Sequence, residues 1–209
     1  MKSITNYINE KLFVKSSKKY NYFPETKAEL KKIIMQRIKS EGNNVNLNDI
    51  NTSEITNMEA LFNSKYLCDF CGDVSDWDVS NVTTMQGMFN GCKKFDCNLS
   101  KWNVDNVTDM RGLFYECESF RGEGLDTWDV SNVTDMEGTF GYCYKLVGKE
   151  LEKWNTKSVT DMTDMFYACI NLDADLSKWD VSNVKDATDM FAMGSGLHYK
   201  PENRPKFNW

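Results

Sequence analysis

The stretch Trp128-Asp-Val-Ser-Asn-Val-Thr-Asp-Met136 decides the fold, because close variants of it return along most of the chain. Six copies open at one shared position, which is Ile in the first copy and Trp in the others: Ile50, Trp77, Trp102, Trp128, Trp154 and Trp179. Successive steps are 27, 25, 26, 26 and 25 residues long. A nearly fixed period of this length is typical of proteins built from stacked structural repeats.

Apolar residues recur at fixed offsets within each copy. A Leu or Val three residues before the opening position and a Val two residues after most of them predict a short strand. Farther on, Val107, Met110, Phe114 and Cys117 follow the spacing of one helix face. Thr134-Asp-Met-Glu137 has the form of a capping box, with its Asp placed to favour a helix dipole. We therefore predict an α/β repeat fold, a leucine-rich-repeat-like solenoid with one short strand and one short helix per repeat.

Three regions follow from where the repeat holds. Residues 1–46 lack it and are predicted to form a helical N-terminal cap. Residues 47–197 are predicted to be a solenoid of about six repeats. Residues 198–209, which contain two prolines, are predicted to be a C-terminal capping tail. Caps are needed because one repeat cannot bury enough apolar surface alone and the two ends of a stack lack a neighbour.

The N-terminal cap is predicted to contain two amphipathic helices. The first has an apolar stripe at Ile4, Tyr7, Ile8 and Leu12. The second begins after Thr26, ends at Gly42 and has its apolar stripe at Leu30, Ile33, Ile34 and Ile38. Residues 1–46 carry a net charge of +6 and residues 47–209 a net charge of −12. The basic clusters are short and lack an aromatic platform, so a charged helix face is favoured over nucleic-acid binding.

The repeat phrase, followed by Met-Phe-x-x-Cys-x-x-Phe and by Leu-Ser before the next Trp, resembles the BspA-like leucine-rich repeats of bacterial and mycoplasma surface proteins. The resemblance covers roughly residues 47–197. It implies a solenoid with a strand on one side and a short helical segment on the other, and several members are adhesins that bind host proteins. This chain shows neither an export signal nor a membrane span, so a cytoplasmic location is expected, with a phage virion as the alternative.

Seven cysteines raise the question of disulfides or metal. Four of them occupy one repeat position and are expected to be reduced, buried thiols: Cys92, Cys117, Cys143 and Cys169. Cys68, Cys71 and Cys97 lie outside that position, and their alternatives are a zinc site or one disulfide; unlinked thiols are favoured because a fourth metal ligand is not visible. We expect no disulfide, no metal and no other cofactor.

The residue after each opening position alternates between Asn and Asp. This ladder consists of Asn51, Asp78, Asn103, Asp129, Asn155 and Asp180. It is expected to point outward between buried neighbours on the strand side. Two interpretations stay open: a ladder that is solvated or bonded to itself, and a polar recognition strip flanked by Lys101, Lys153 and Lys178.

No set of residues converges on catalysis. The chain has one histidine, His198, and neither a Gly-rich phosphate loop nor a nucleophile elbow. We therefore expect a non-enzymatic protein–protein interaction module, with the ladder and its lysines as the candidate binding face for a protein partner. The alternative is a structural or decoration protein of a phage virion or cell surface. A carboxylate-based hydrolase is less favoured.

Overall fold

The computed structural model describes residues 20–63 and 67–208. Within them it contains one α-helix, α1 at Lys27–Glu41. Four short 3₁₀ helices lie at Leu125–Thr127, Lys149–Leu151, Gly196–Tyr199 and Pro201–Asn203. Successive repeats stack in register, joined by single-residue parallel bridges at Asn57, Thr84, Asp109, Asp135, Asp161 and Asp186. No extended strand is present in this described part of the chain.

The prediction of one strand and one helix per repeat, and with it the leucine-rich-repeat-like solenoid, is wrong. The predicted helix contains two residues with left-handed backbone, Gly112 at φ 55° and Glu116 at φ 59°. A residue at positive φ cannot continue a right-handed helix. The next repeat has the same pattern, with Gly138 at φ 58° and Tyr142 at φ 62°. Each repeat is therefore a series of consecutive turns in place of a strand and a helix.

Backbone hydrogen bonds run between repeats instead of along a helix. Alternate amides of one repeat donate to carbonyls of the next: Met110 to Asp135 at 3.0 Å, Gly112 to Glu137 at 2.8 Å, Phe114 to Thr139 at 2.9 Å and Glu116 to Gly141 at 2.8 Å. This row of four bonds recurs at the next two joints between repeats. The stack thus satisfies its buried backbone without regular secondary structure.

The predicted capping box is also absent. The Thr134 hydroxyl donates to the Thr108 carbonyl of the preceding repeat at 3.1 Å. The Asp135 carboxylate accepts from the Glu137 amide at 3.1 Å, which closes a side-chain turn. Thr and Asp therefore link and shape turns, and neither residue caps a helix.

Columns of aromatic rings fill the interior, where a column is the set of residues at one position in successive repeats. Phe140 is fully buried between Phe114 and Phe166, at ring-centroid distances of 5.8 and 5.6 Å. Trp128 stacks on Trp154 at 6.3 Å. Each buried indole needs an acceptor, and those of Trp77, Trp102, Trp128, Trp154 and Trp179 donate to a carbonyl of the preceding repeat. The core is continuous along the stack.

The N-terminal end is covered by α1, which confirms the second predicted helix. Thr26 accepts a hydrogen bond from the Glu29 amide at 3.2 Å, and the Gly42 amide donates to the Ile38 carbonyl. The buried face is formed by Leu30, Ile34 and Ile38. The first predicted helix lies outside the described residues. No helix in the described range is both long and apolar enough to cross a bilayer.

The C-terminal tail lies against the last repeat. Leu197 is fully buried, and the Leu176 amide donates to the Asn203 carbonyl at 2.8 Å. The Arg204 guanidinium lies 5.3 Å from the centre of the Phe191 ring. His198 is exposed, with its ring edge-on to Tyr199. The tail therefore covers part of the final apolar edge.

All seven cysteines are reduced thiols. The four that share one repeat position are buried, and each thiol donates to a carbonyl of the preceding repeat; the Cys143 Sγ lies 3.1 Å from the Phe114 carbonyl oxygen. Burial raises the pKa of Cys169 to about 12. These thiols hold neighbouring repeats together without being ionised.

Candidate functional site

A polar groove of about 560 Å³ crosses the repeat stack. Its floor is the column at the first left-handed position of each repeat: Ala60, Gly87, Gly112 and Gly138. The φ angles of these residues are 50°, 56°, 55° and 58°. Glycine adopts such angles without strain and leaves the floor without side chains. At ~4.8 Å per repeat, the floor is about 14 Å long.

The groove closes where the floor column regains a side chain. Asp164 occupies the same position in the next repeat at φ 54°, and Asp189 follows it at φ 55°. At the other end, α1 bounds the groove. Lys27 Nζ donates to the Glu59 carbonyl at 3.0 Å, and Lys31 Nζ donates to the Ala60 carbonyl at 2.9 Å. The groove therefore has two defined ends.

Two columns of polar side chains form the walls. One wall consists of Glu59, Gln86, Arg111 and Glu137, and the other of Asn63, Asn90 and Tyr115. The Arg111 guanidinium is held within the wall: it donates to Gln86 Oε1 at 3.1 Å and lies 3.4 Å from Asp109 and 3.5 Å from Asp135. Arg111 is thereby largely neutralised by its own neighbours.

The acidic groups at the closed end of the groove are not neutralised to the same degree. Burial raises the pKa of Glu137, and the negative charges of Asp161 and Asp135 raise it further, against the effect of Arg111. Burial and the charge of Asp189 raise the pKa of Asp164. A cation placed between these carboxylates would relieve their repulsion.

Tyrosines extend the site beyond the closed end. Tyr115 contacts Tyr142 edge-on at a ring-centroid distance of 5.3 Å, and Tyr142 contacts Tyr167 at 5.2 Å. We call these three residues the tyrosine strip; each is half-buried. A Cβ atom on Gly141 would fall 2.7 Å from the Tyr115 ring, so glycine at that position gives the ring its place. Burial, together with Tyr142, raises the pKa of Tyr115 to about 12, so its hydroxyl stays neutral.

The predicted ladder lies elsewhere on the surface, and none of its residues lines the groove. Its side chains point outward, and each accepts a hydrogen bond from the backbone two residues on; Asp129 Oδ1 accepts from the Ser131 amide at 2.9 Å. Hydrogen bonds from Ser131 lower the pKa of Asp129. The same contact is made by Asn51, Asp78, Asn103, Asn155 and Asp180. The ladder's acceptors are thus used by the turns themselves.

The three flanking lysines do not form one cluster with the ladder. Lys101 pairs with the Asp76 carboxylate at 2.6 Å. Lys153 and Lys178 are exposed. The groove was not predicted from the sequence, because its residues fall within the predicted helix. The aligned glycines at 87, 112 and 138 nevertheless signal a column without side chains. In the described ranges, no three His, Cys, Asp or Glu residues are arranged as a metal site.

A family model described as "Mycoplasma protein of unknown function, DUF285" matches residues 29–146 and 114–203. The chain belongs to the DUF285 family. The two matches together include α1 from Glu29 onward, both walls of the groove and the tyrosine strip. No curated protein and no solved structure matches the chain.

Proposed function

We propose that this DUF285 chain is a non-enzymatic protein-binding module whose groove takes an extended, cationic segment of a partner protein. The observation that carries the proposal is the floor of Ala60, Gly87, Gly112 and Gly138, which leaves one column without side chains in three repeats and with only a methyl group in a fourth. A floor about 14 Å long accommodates about four residues of extended chain at ~3.3 Å each.

The charge of the walls selects the kind of segment. Arg111 is paired within its own wall, whereas Glu137 and Asp164 face a shared end where burial and neighbouring carboxylates raise their pKa values. A Lys or Arg side chain of the partner would be attracted there. The tyrosine strip beyond that end offers ring faces for a cation and for apolar contact, and tyrosine is enriched at protein interfaces.

The amides of the walls suit backbone recognition. Asn63, Asn90 and Gln86 line the groove toward its N-terminal half. Side-chain amides both donate and accept, so they match a peptide backbone irrespective of its sequence. Specificity would then come from the acidic end and the tyrosine strip.

The repeat phrase supports a binding role independently. We propose kinship with the BspA-like repeats at the level of that phrase and not of a strand-and-helix fold, and several carriers of those repeats are adhesins that bind host proteins. Membership of a family of unknown function is compatible with this role.

A peptide-display library panned on the whole chain tests the proposal. Peptides enriched in Lys or Arg are expected, and Gly112→Asn should weaken their binding at least about tenfold, or ~1.4 kcal/mol. Asparagine tolerates left-handed backbone, and a Cβ atom at Gly112 has room, with Asn90 Nδ2 at 3.7 Å. The fold should therefore survive while the floor fills.

Gly194→Asn is the matched control. Gly194 has φ 76° and no atom within 4 Å of an added Cβ, and it lies outside the groove. Equal affinity of the wild type, Gly112→Asn and Gly194→Asn for the selected peptides would refute the groove as the binding site. Selected peptides without cationic residues would refute the proposed chemistry.

A further inference from the structure

The C-terminal edge of the repeat stack carries a second binding feature, distinct from the groove. At the last joint between repeats, four alternate amides donate to the final repeat: Met162 to Asp186 at 2.8 Å, Asp164 to Thr188 at 3.0 Å, Phe166 to Met190 at 3.0 Å and Ala168 to Ala192 at 3.1 Å. We call these donors the inner row. One repeat later, the equivalent donors are Ala187, Asp189, Phe191 and Met193, which we call the edge row.

Within the described part of the chain, none of the four edge-row amides donates a hydrogen bond. The tail reaches the last repeat elsewhere, through Arg204 over the Phe191 ring and through the Asn203 carbonyl. Asp189 and Met193 are exposed, Met193 by 66% of its surface, whereas the inner-row residue Ala168 is 6% exposed. The edge row is therefore a line of donors with apolar surface beside it and no acceptor supplied by tail residues 198–208.

We propose that the edge row binds a segment of a partner protein that follows the course of one more repeat, so that its carbonyls continue the between-repeat hydrogen bonds by one more row. Within the stack, these bonds are accepted by carbonyls at every second residue of a repeat, as at Asp109, Arg111, Leu113 and Tyr115. Addition of a segment to an open backbone edge is an established mode of peptide recognition. The exposed Met193 side chain would gain apolar cover from the same segment.

A second copy of this chain does not fit the edge row. Its C-terminal edge would bring donors against donors. Its N-terminal edge is covered by α1, where Lys27 Nζ already donates to the Glu59 carbonyl and Lys31 Nζ to the Ala60 carbonyl. Within the stack, the Gln86 carbonyl accepts a hydrogen bond from the Ala60 amide of the preceding repeat. Glu59 is the equivalent residue of the first repeat, and its carbonyl already accepts from Lys27. A second copy of this chain is therefore not the occupant.

Amide hydrogen exchange of the whole chain, read residue by residue by NMR, tests this inference. Without a ligand, the edge row should exchange at least about 100-fold faster than the inner row, which serves as the matched internal control. Edge-row exchange as slow as that of the inner row would overturn the proposal, because the chain would then cover the row itself.

The probe is a synthetic peptide with the sequence of residues 106–121. In the stack, its carbonyls at Asp109, Arg111, Leu113 and Tyr115 accept from the preceding repeat at 2.7–3.0 Å. At saturating concentration it should slow edge-row exchange at least about tenfold, and a scrambled peptide should not. No slowing, or equal slowing by both peptides, would overturn the proposal.

Two further measurements keep the alternatives apart. Sedimentation of the chain alone should show no concentration-dependent association; association accompanied by protection of the edge row would make a second copy the occupant and overturn the proposal. The groove variant Gly112→Asn should protect its edge row with the peptide as the wild type does. Failure of the groove as a binding site would therefore leave this inference standing, and the reverse also holds.

Discussion

The ladder and the groove are both polar, both repeat along the stack, and differ in what their side chains already do. In the ladder, Asp129 Oδ1 accepts from the Ser131 amide, so its charge serves the turn that carries it. In the groove, Glu137 and Asp164 have raised pKa values because burial and neighbouring acids oppose their ionisation. A regular polar column can therefore be bonded to its own backbone, as in the ladder, or can hold carboxylates that oppose one another's ionisation, as in the groove.

The ladder and the groove rest on the same aromatic core. A cavity in that core should therefore give the largest loss of stability and affect both surfaces. Phe140→Ala opens a void between Phe114 and Phe166 and should lower the free energy of unfolding by about 3–5 kcal/mol, measured by chemical denaturation. Hydrogen exchange should increase first in the adjacent repeats.

The exposed Ile170 provides the control for the core variant. With 53% of its surface exposed, Ile170→Ala should change stability by less than about 0.5 kcal/mol. Uniform loss of exchange protection along the whole chain in Phe140→Ala would contradict a core built from neighbour-to-neighbour contacts.

The period, the buried columns and α1 could be predicted from the sequence because each rests on local apolar spacing or on a cap such as Thr26. The predicted helix failed because the spacing of Met110, Phe114 and Cys117 fits a stacked course of turns as well as one helix face. The groove depends on positive φ, which glycine signals at Gly112 but which Asp164 conceals two repeats on. The hydrogen bonds between repeats decide that this segment forms turns and not a helix, and no local sequence pattern indicates those bonds.

Substitutions in the ladder should affect stability and leave groove binding intact. Asp129→Ala removes the acceptor for Ser131 and should cost about 1 kcal/mol in thermal or chemical unfolding. Asp129→Asn keeps that acceptor and should cost less than about 0.5 kcal/mol, because Asn103 closes the same turn one repeat earlier.

Reversing the charge of two ladder residues tests whether the ladder or the groove binds the peptide. The double variant Asp78→Lys with Asp129→Lys should leave the affinity for the selected cationic peptides within about twofold, since neither residue lines the groove and salt screens the interaction between exposed charges. A strong loss of affinity would indicate that the ladder, and not the groove, is the binding face.

The smallest expected effect is a pH dependence confined to the groove. Raised pKa values mean that the folded state holds its protons longer than the unfolded state, so Glu137 and Asp164 reduce stability as pH rises from their ordinary pKa values of 4.5 and 3.8 through the raised folded-state values. Glu137→Gln with Asp164→Asn should remove that slope and leave the variant more stable than the wild type at pH 7 by less than about 1 kcal/mol.

Over the same pH range in which stability falls, the affinity for a cationic peptide should rise. A cationic peptide binds the ionised carboxylates, so its affinity should rise with pH in the wild type and stay flat in the double variant. Denaturation curves and titrations at matched ionic strength measure both. A wild-type stability slope equal to that of the variant would contradict the electrostatics assigned to the groove.

Amide chemical shifts recorded while a selected cationic peptide is titrated into the whole chain test the groove most directly. The groove account predicts the largest changes at Gly87, Gly112 and Gly138, with the tyrosine strip next, and unchanged amides at Asn103 and Asp129. Largest changes along the ladder, with an unperturbed groove floor, would contradict it.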